Sequence, residues 1–187
     1  QGNISGARAL ISKASALASS SLSNAPAAEL TLRWKLRTSL VDLNDAPKVF
    51  EQSELINRLL PGVPDDQLPI PRDEIRIHVS ATRLWAADEQ ILKEEQAMKE
   101  LEGQLEGLYA EFMGRKPPAK EFAASCSFYQ ADWFWFNSKT KEAEAASRRE
   151  ASSASTRDPL ADPRRAKASA RRWTSAVLWV AAAGGWR

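Results

Sequence analysis

Apolar residues recur at a spacing of seven in the middle of the chain. Leu84, Ile91, Met98, Leu105 and Phe112 stand seven residues apart. Ala87, Leu101 and Leu108 fill three of the four intervening positions of the stripe, and Glu94 breaks the fourth. Such a repeat is typical of a helix that packs along one stripe against another helix, as in a coiled coil. Gly114 is suited to end a helix, and the Pro-Pro pair after it cannot continue one. The pattern therefore predicts a long helix over about 81–113. Its outer face is acidic, with Glu89, Glu94, Glu95, Glu100, Glu102 and Glu106.

A second apolar stripe, rich in aromatic side chains, follows the proline pair. Its members step by four and three residues, as a helix requires: Phe122, Cys126, Tyr129, Trp133 and Phe136. This spacing predicts a second helix over about 118–147, and the short turn between the two helices predicts a long antiparallel helical hairpin. Phe128 and Trp135 lie off the stripe. Since burying a large aromatic side chain stabilises by roughly 2–3 kcal/mol, either the N-terminal helices or a partner protein should cover them.

Shorter helices are predicted before this hairpin. Leucine and tryptophan alternate with polar residues at the start of 30–43, as in a strand, but leucines four residues apart fit a helix equally well. The Leu, Lys and Arg content favours the helix. Another helix is predicted over about 46–60, because Asn44 or Asp45 can cap it and Pro47 fits its first turn.

Proline dominates the segment that joins these helices to the hairpin. Residues 61–73 contain four prolines, which excludes regular structure and predicts an extended connector of the polyproline type. After it, Ile75, Ile77 and Val79 alternate with polar residues. Such alternation indicates a short strand. Because no second convincing strand is available to pair with it, the start of the next helix is the alternative interpretation.

The first 28 residues are rich in small side chains and contain no acid. Seven Ser and eight Ala stand beside only two cations, Arg8 and Lys13. That composition is typical of organelle transit peptides, although a plain Ala/Ser-rich amphipathic arm is the simpler interpretation.

The other end combines a basic linker with an apolar segment. Residues 148–172 are rich in Ser, Ala and Arg, which is typical of a disordered linker. The segment 173–187 contains three tryptophans: Trp173, Trp179 and Trp186. Its uncharged run, 173–186, would span roughly 21 Å as a helix, less than the ~30 Å hydrocarbon core of a bilayer. It could lie at a membrane interface with Arg171 and Arg172 reaching the headgroups, fill a groove on a partner, or pack on its own core.

Charge is segregated along the chain although the net charge is only +2. Residues 1–40 carry a net charge of +4, residues 41–138 carry −8 and residues 139–187 carry +6. Together with the patterns above, this indicates a mainly α protein in four parts: an arm over 1–28, a helical body over 29–147 with its connector, the basic linker and the apolar C-terminal segment.

Catalytic chemistry finds little support in the sequence. One Cys and one His exclude an internal disulfide framework, a Cys-based zinc cluster and His-rich metal sites. His78 and Cys126 could serve as base and nucleophile, but no Gly-rich turn adjoins Cys126, which stands on the apolar stripe and is read as a core residue. The usual nucleotide-binding and hydrolase motifs are missing. We therefore expect no enzyme activity, cofactor or metal.

These features favour a structural accessory subunit of a large organellar complex, in a mitochondrion or plastid, that is associated with a membrane. Other protein subunits are the expected partners. The residues expected to bind them are Phe128, Trp133, Trp135, Arg171, Arg172, Trp173, Trp179 and Trp186. Two alternatives remain: an organellar RNA-binding or ribosomal accessory protein held through the basic ends, and a secreted helical effector that binds a host protein through the aromatic helix.

Overall fold

Helices account for nearly all of the described chain, which confirms the prediction of a mainly α fold. The computed structural model describes residues 4–87 and 95–154, and these form seven α-helices and no strand. The helices are α1 (Ile4–Ser21), α2 (Pro26–Asp42), α3 (Ala46–Leu59), α4 (Arg72–Ala86), α5 (Glu95–Gly114), α6 (Lys120–Phe136) and α7 (Thr140–Ala154). Each helix packs on the next one along the chain.

Successive helices run in opposite directions. Leu30, near the start of α2, shares a core with Ile56, near the end of α3. Leu40, near the end of α2, shares another core with Val49, near the start of α3. The result is an up-and-down array in which short connections join antiparallel neighbours.

The middle helix of this array, α4, is buried on two sides. Ile75 and Val79 face a core formed with α2 and α3, whereas Ile77, Ala81 and Leu84 face a second core formed with α5 and α6. When a helix has apolar residues on two opposite sides, apolar and polar residues can alternate along its sequence, as they do in a strand. For this reason the strand interpretation of 75–79 is wrong, and the alternative, the start of a helix, is the one observed.

The single helix predicted over 81–113 is also wrong. Arg83 in α4 donates a hydrogen bond of 2.9 Å to Gln104 in α5. In one straight helix these residues would lie about 31 Å apart, so α4 and α5 lie side by side and antiparallel. The apolar repeat spans both helices and faces one core, with Leu84, Ala87, Leu101, Leu105, Leu108 and Phe112 buried there. Residues 88–94 lie outside the described part.

The second predicted helix, 118–147, is divided into α6 and α7, which fold back on each other. Between them Ser138 adopts a left-handed conformation, with φ at 57°. The amides of Ser138 and Lys139 donate to carbonyls of the last turn of α6 at 3.1 and 2.9 Å. This is the hydrogen-bond pattern of a left-handed helix C-cap, and it reverses the chain where the sequence pattern predicted continuation.

Residues 4–21 of the predicted arm form α1, which packs on the body through a mixed face of serines and small or apolar side chains, with Ile11 against the core that contains Leu40 and Val49. Ala18 is fully buried there, but Leu10 and Leu17 point outward with 68 % and 61 % of their surface exposed. Three hydrogen bonds from α2 and α3 reach serines of α1: Lys48 Nζ to Ser12 Oγ at 2.8 Å, Gln52 Nε2 to Ser15 Oγ at 3.1 Å and Arg33 Nη2 to Ser19 Oγ at 3.0 Å.

The proline-rich connector is partly extended, as predicted, and partly coiled. Pro64 and Pro71 have polyproline-type angles, but two single-turn 3₁₀ helices stand at Leu60–Gly62 and Asp65–Gln67. Arg72 anchors the connector by hydrogen bonds. Its guanidinium donates to the Asp65 carboxylate at 2.5 Å and to two backbone carbonyls of the loop. Arg72 thus fixes the path of the loop, and Val63, which is buried in the core of α2, α3 and α4, holds the loop against the body.

The C-terminal boundaries differ from the predicted ones as far as they are described. The first residues of the predicted linker, 148–154, belong to α7, and the rest of the linker and the segment 173–187 lie outside the described residues. Among the helices of residues 4–87 and 95–154, none is both long and apolar enough to cross a membrane.

Candidate functional site

The aromatic side chains of α6 divide into a buried set and an exposed set. Trp133 is only 8 % exposed, and its indole N–H donates to Glu102 of α5 at 3.2 Å. Trp135 and Phe136, by contrast, are 68 % and 57 % exposed. Phe128 is half-buried and meets Tyr129 edge-on at 5.5 Å between ring centres. Of the predicted partner-binding residues on α6, Trp133 is thus covered by the chain itself, and Trp135 is open to solvent.

A groove of about 430 Å³ lies beside Trp135, between α6 and α7. Residues of both helices line it: Ala131, Asp132, Trp135, Ala143, Glu144, Ser147 and Arg148. The two alanines are buried and form an apolar floor, because their small side chains let the helices approach closely. Trp135 stands at the edge with its ring accessible. The groove thus joins an apolar surface to a charged rim.

Asp132, which lines this groove, and Glu150, which stands on the facing helix outside the lining, are half-buried acids. Burial raises the pKa of Asp132 above its usual value. The pKa of Glu150, on the facing helix, is raised by burial and further by the nearby charge of Asp132. Within the described residues neither carboxylate has an ion-pair or hydrogen-bond partner. Their charged forms are therefore poorly compensated by the chain itself.

Two acids that α5 presents to the same helix pair form ion pairs within the described part of the chain, unlike Asp132 and Glu150. Glu102 of α5 forms an ion pair of 2.6 Å with Lys139, and Glu106 forms one of 2.6 Å with Arg149. Gln130 also joins Glu106. The predicted outward acidic face of this helix is wrong at Glu102, whose carboxylate turns toward α6 and α7, whereas Glu106 stays half exposed while it pairs with Arg149. These contacts fix the helix pair on α5 and so hold the groove in shape.

Further along the bundle, four charged side chains clamp the start of α4 to the end of α5. Glu111 pairs with Arg76 at 2.5 Å and with Arg115 at 2.7 Å, and Arg115 also binds Asp73 at 2.5 Å. Both arginines lie over the ring of Phe112, at 5.9 and 4.7 Å from its centre. Hydrogen bonds from Arg76 and Arg115 lower the pKa of Glu111 to about 2. The charges of this cluster balance, so it fits a structural role.

A network of buried arginines was not anticipated from the sequence. Arg33 is 1 % exposed and binds Glu29 at 2.6 Å, together with side chains of α1 and α3. Arg37 is buried among neutral partners: it donates to Thr82 at 3.1 Å and to the backbone carbonyl of His78 at 3.2 Å. Burial lowers the pKa of Arg37 to about 10. Their spacing of four, on a helix with leucines spaced alike, was the only signal, and it resembles an exposed basic stripe.

The suggested base and nucleophile do not form a reactive pair. Cys126 is fully buried, and burial raises the pKa of its thiol to about 12, so the thiol stays protonated at neutral pH. His78 lies between the rings of Trp34 and Tyr129, and its Nδ1 is 3.3 Å from the Tyr129 hydroxyl. In the part of the chain that the structure describes, no three His, Cys, Asp or Glu side chains converge on a metal position.

The remaining predicted partner-binding residues cannot be placed relative to this groove. Arg171, Arg172, Trp173, Trp179 and Trp186 all lie outside the described residues. The acids Asp132 and Glu150 were overlooked because they stand alone among apolar or basic neighbours, and only the α6–α7 reversal brings them together.

No family model matches this chain, and neither does any curated protein or solved structure.

Proposed function

We propose that this protein is a non-enzymatic accessory subunit of a larger protein assembly and that it joins the assembly through the face of α6 and α7 that carries the groove. One observation carries the proposal: Trp135 is 68 % exposed beside an apolar groove, although the same helix buries Trp133 two residues earlier. A large exposed aromatic side chain beside a concave apolar surface is typical of the centre of a protein–protein interface.

The setting of that assembly rests on composition. The acid-free, Ala/Ser-rich start supports a mitochondrion or plastid, and the tryptophan-bearing run 173–186 supports contact with a membrane interface. Both parts of the proposal are independent of the groove. A nucleic acid is disfavoured as the ligand of the groove itself, because Asp132, Glu144 and Glu150 would repel its phosphates.

Site-specific cross-linking in the native cell tests this function. A photo-reactive amino acid is placed at position 135 in one full-length version of the protein and at Leu17 in another. Leu17 is the matched control, because it is also a large apolar residue, is 61 % exposed and lies on the remote helix α1.

The proposal expects a discrete cross-linked partner from position 135 that is missing from position 17. The cross-link should also disappear when an excess of unlabelled wild-type protein competes, but persist when the competitor carries Trp135→Ala. Equal cross-linking at both positions, or none at position 135, would contradict the proposed role of this face.

A further inference from the structure

We infer that the groove between α6 and α7 receives a basic amphipathic helix of the partner protein, with a Lys or Arg placed between Asp132 and Glu150. This inference rests on the proposed function, since it names the chemistry of the partner at the same face. It follows from the charges of the groove, from the apolar floor beneath them and from the way in which the chain neutralises its other acids.

Asp132 and Glu150 differ from other half-buried acids of this chain in having no cationic partner within the described residues. Other half-buried acids of this chain have one: Glu29 pairs with Arg33, Asp73 with Arg115 and Glu102 with Lys139. Asp132 and Glu150 are also half-buried but have no such partner within the described residues, and their partial burial disfavours the charged forms. A cation supplied by another protein would complete both.

The charged residues around the groove carry more negative than positive charge. Asp132, Glu144 and Arg148 are the charged residues that line the groove, and Glu150, on the facing helix outside the lining, is close enough for the charge of Asp132 to raise its pKa. The rim is therefore negative overall. Complementary charge across an interface speeds association and excludes partners of the wrong sign, so the rim selects a basic segment over an acidic one.

The floor of the groove is apolar and lies between two helices. Ala131 and Ala143 form an apolar floor next to the exposed ring of Trp135. A Lys or Arg side chain can lay its aliphatic stem on such a floor while its charged end reaches the carboxylates, and its cation can also approach the indole face. Two parallel walls made by helices suit a third helix, which would place apolar residues along the floor.

Binding of synthetic peptides to the full-length protein tests the inference. The probe is a fluorescein-labelled amphipathic helix with Leu on one face and Lys on the other, and the comparison peptide has Glu in place of every Lys. Fluorescence anisotropy measures the affinity. We expect the basic peptide to bind, its affinity to fall as salt is added, and the acidic peptide to bind at least tenfold more weakly.

A pair of double variants assigns the effect to the groove. Asp132→Asn with Glu150→Gln should weaken the basic peptide about tenfold, whereas Glu51→Gln with Glu142→Gln, which removes two exposed acids elsewhere, should leave its affinity unchanged. Unchanged affinity in the groove variant, or equal binding of both peptides, would overturn the inference.

The outcomes also separate this inference from the proposed function. If the cross-link from position 135 persists in the Asp132→Asn, Glu150→Gln variant and at high salt, a partner binds the face without using the acids, and only the inference fails. If position 135 gives no cross-link in the cell, the proposed function fails. Concentration-dependent self-association that Trp135→Ala abolishes would show that a second copy of this chain occupies the groove, which also overturns the inference.

Discussion

Trp133 and Trp135 offer a sharp internal comparison, because they stand two positions apart on one helix but differ greatly in exposure. Covering nearly all of an indole of roughly 200 Å² stabilises by about 4–5 kcal/mol, and covering a third of it by about 1.5 kcal/mol. Trp133 is 8 % exposed and Trp135 is 68 % exposed, so they represent these two cases. Trp133→Ala should therefore cost about 3–5 kcal/mol of unfolding free energy, and Trp135→Ala about 1 kcal/mol or less.

The comparison is well controlled. Both substitutions make the same chemical change in the same helix, so the gain in helix propensity on replacing Trp by Ala is common to both. Glu102, which accepts the indole hydrogen bond of Trp133, keeps its ion pair with Lys139 at 2.6 Å, so no carboxylate is left unpaired.

Urea unfolding followed by far-ultraviolet circular dichroism measures both free energies without relying on tryptophan fluorescence. A loss of about 3–5 kcal/mol in both variants would mean that Trp135 is covered in the isolated protein, and the exposed face on which the proposed function rests would not exist. A loss of about 1 kcal/mol or less in both would contradict the burial of Trp133. A strong loss in Trp133→Ala alone is the expected result.

Three further predictions concern charged residues. Arg33→Met should cost about 3–5 kcal/mol, since it strands the buried partners of Arg33; urea unfolding checks this, and a loss below about 1 kcal/mol would contradict a buried, paired arginine. Glu111→Gln should cost about 1 kcal/mol at pH 7, because this ion pair is partly exposed. The lowered pKa of Glu111 means that its contribution is present above about pH 4.5 and is lost as the pH falls toward about 2, so the difference from wild type should vanish in acid. Glu150→Gln should have the opposite sign: the raised pKa makes the ionised carboxylate destabilising, so the variant should be more stable than wild type at pH 7 and equal to it below about pH 4. A pH series of urea curves separates the two, and a destabilised Glu150→Gln at neutral pH would show that the acid has a cationic partner.

Buried positions were easier to predict from the sequence than helix ends. The heptad repeat correctly marked Leu84, Leu105 and Phe112 as core residues, because side chains that face a core are apolar whatever the path of the chain. The same repeat was wrongly assigned to one helix, since side chains of α4 and α5 that face the same core continue a single spacing. Only a contact across the pair, such as Arg83 with Gln104, reveals the reversal.

The end of α6 was missed for a different reason. Asn137 and Ser138 do form a short polar break after the aromatic run, but Ser in a left-handed conformation is much rarer than Gly. By comparison, Asn44 also has a positive φ, at 52°, and the sequence placed a helix boundary there correctly because Asn tolerates this conformation and a proline follows. The same missed reversal limited the prediction of the candidate site. Trp135 was identified from the sequence, but the groove forms only where the chain reverses at Ser138, so the groove and its acids were not predicted.

The attachment of α1 has a consequence for the order in which the molecule opens. Its serines accept hydrogen bonds from Lys48, Gln52 and Arg33, all of which water can replace, and its leucines at positions 10 and 17 already face solvent. Ile11 packs against one core and Ala18 is buried, but α4 contributes side chains to two cores, so detaching α1 exposes less apolar surface than global unfolding and costs less free energy. Backbone amides of α1 should then exchange with solvent through local opening, long before those of α4, which two cores hold in place. The N-terminal helix is the part of the fold that the protein can release without losing the rest.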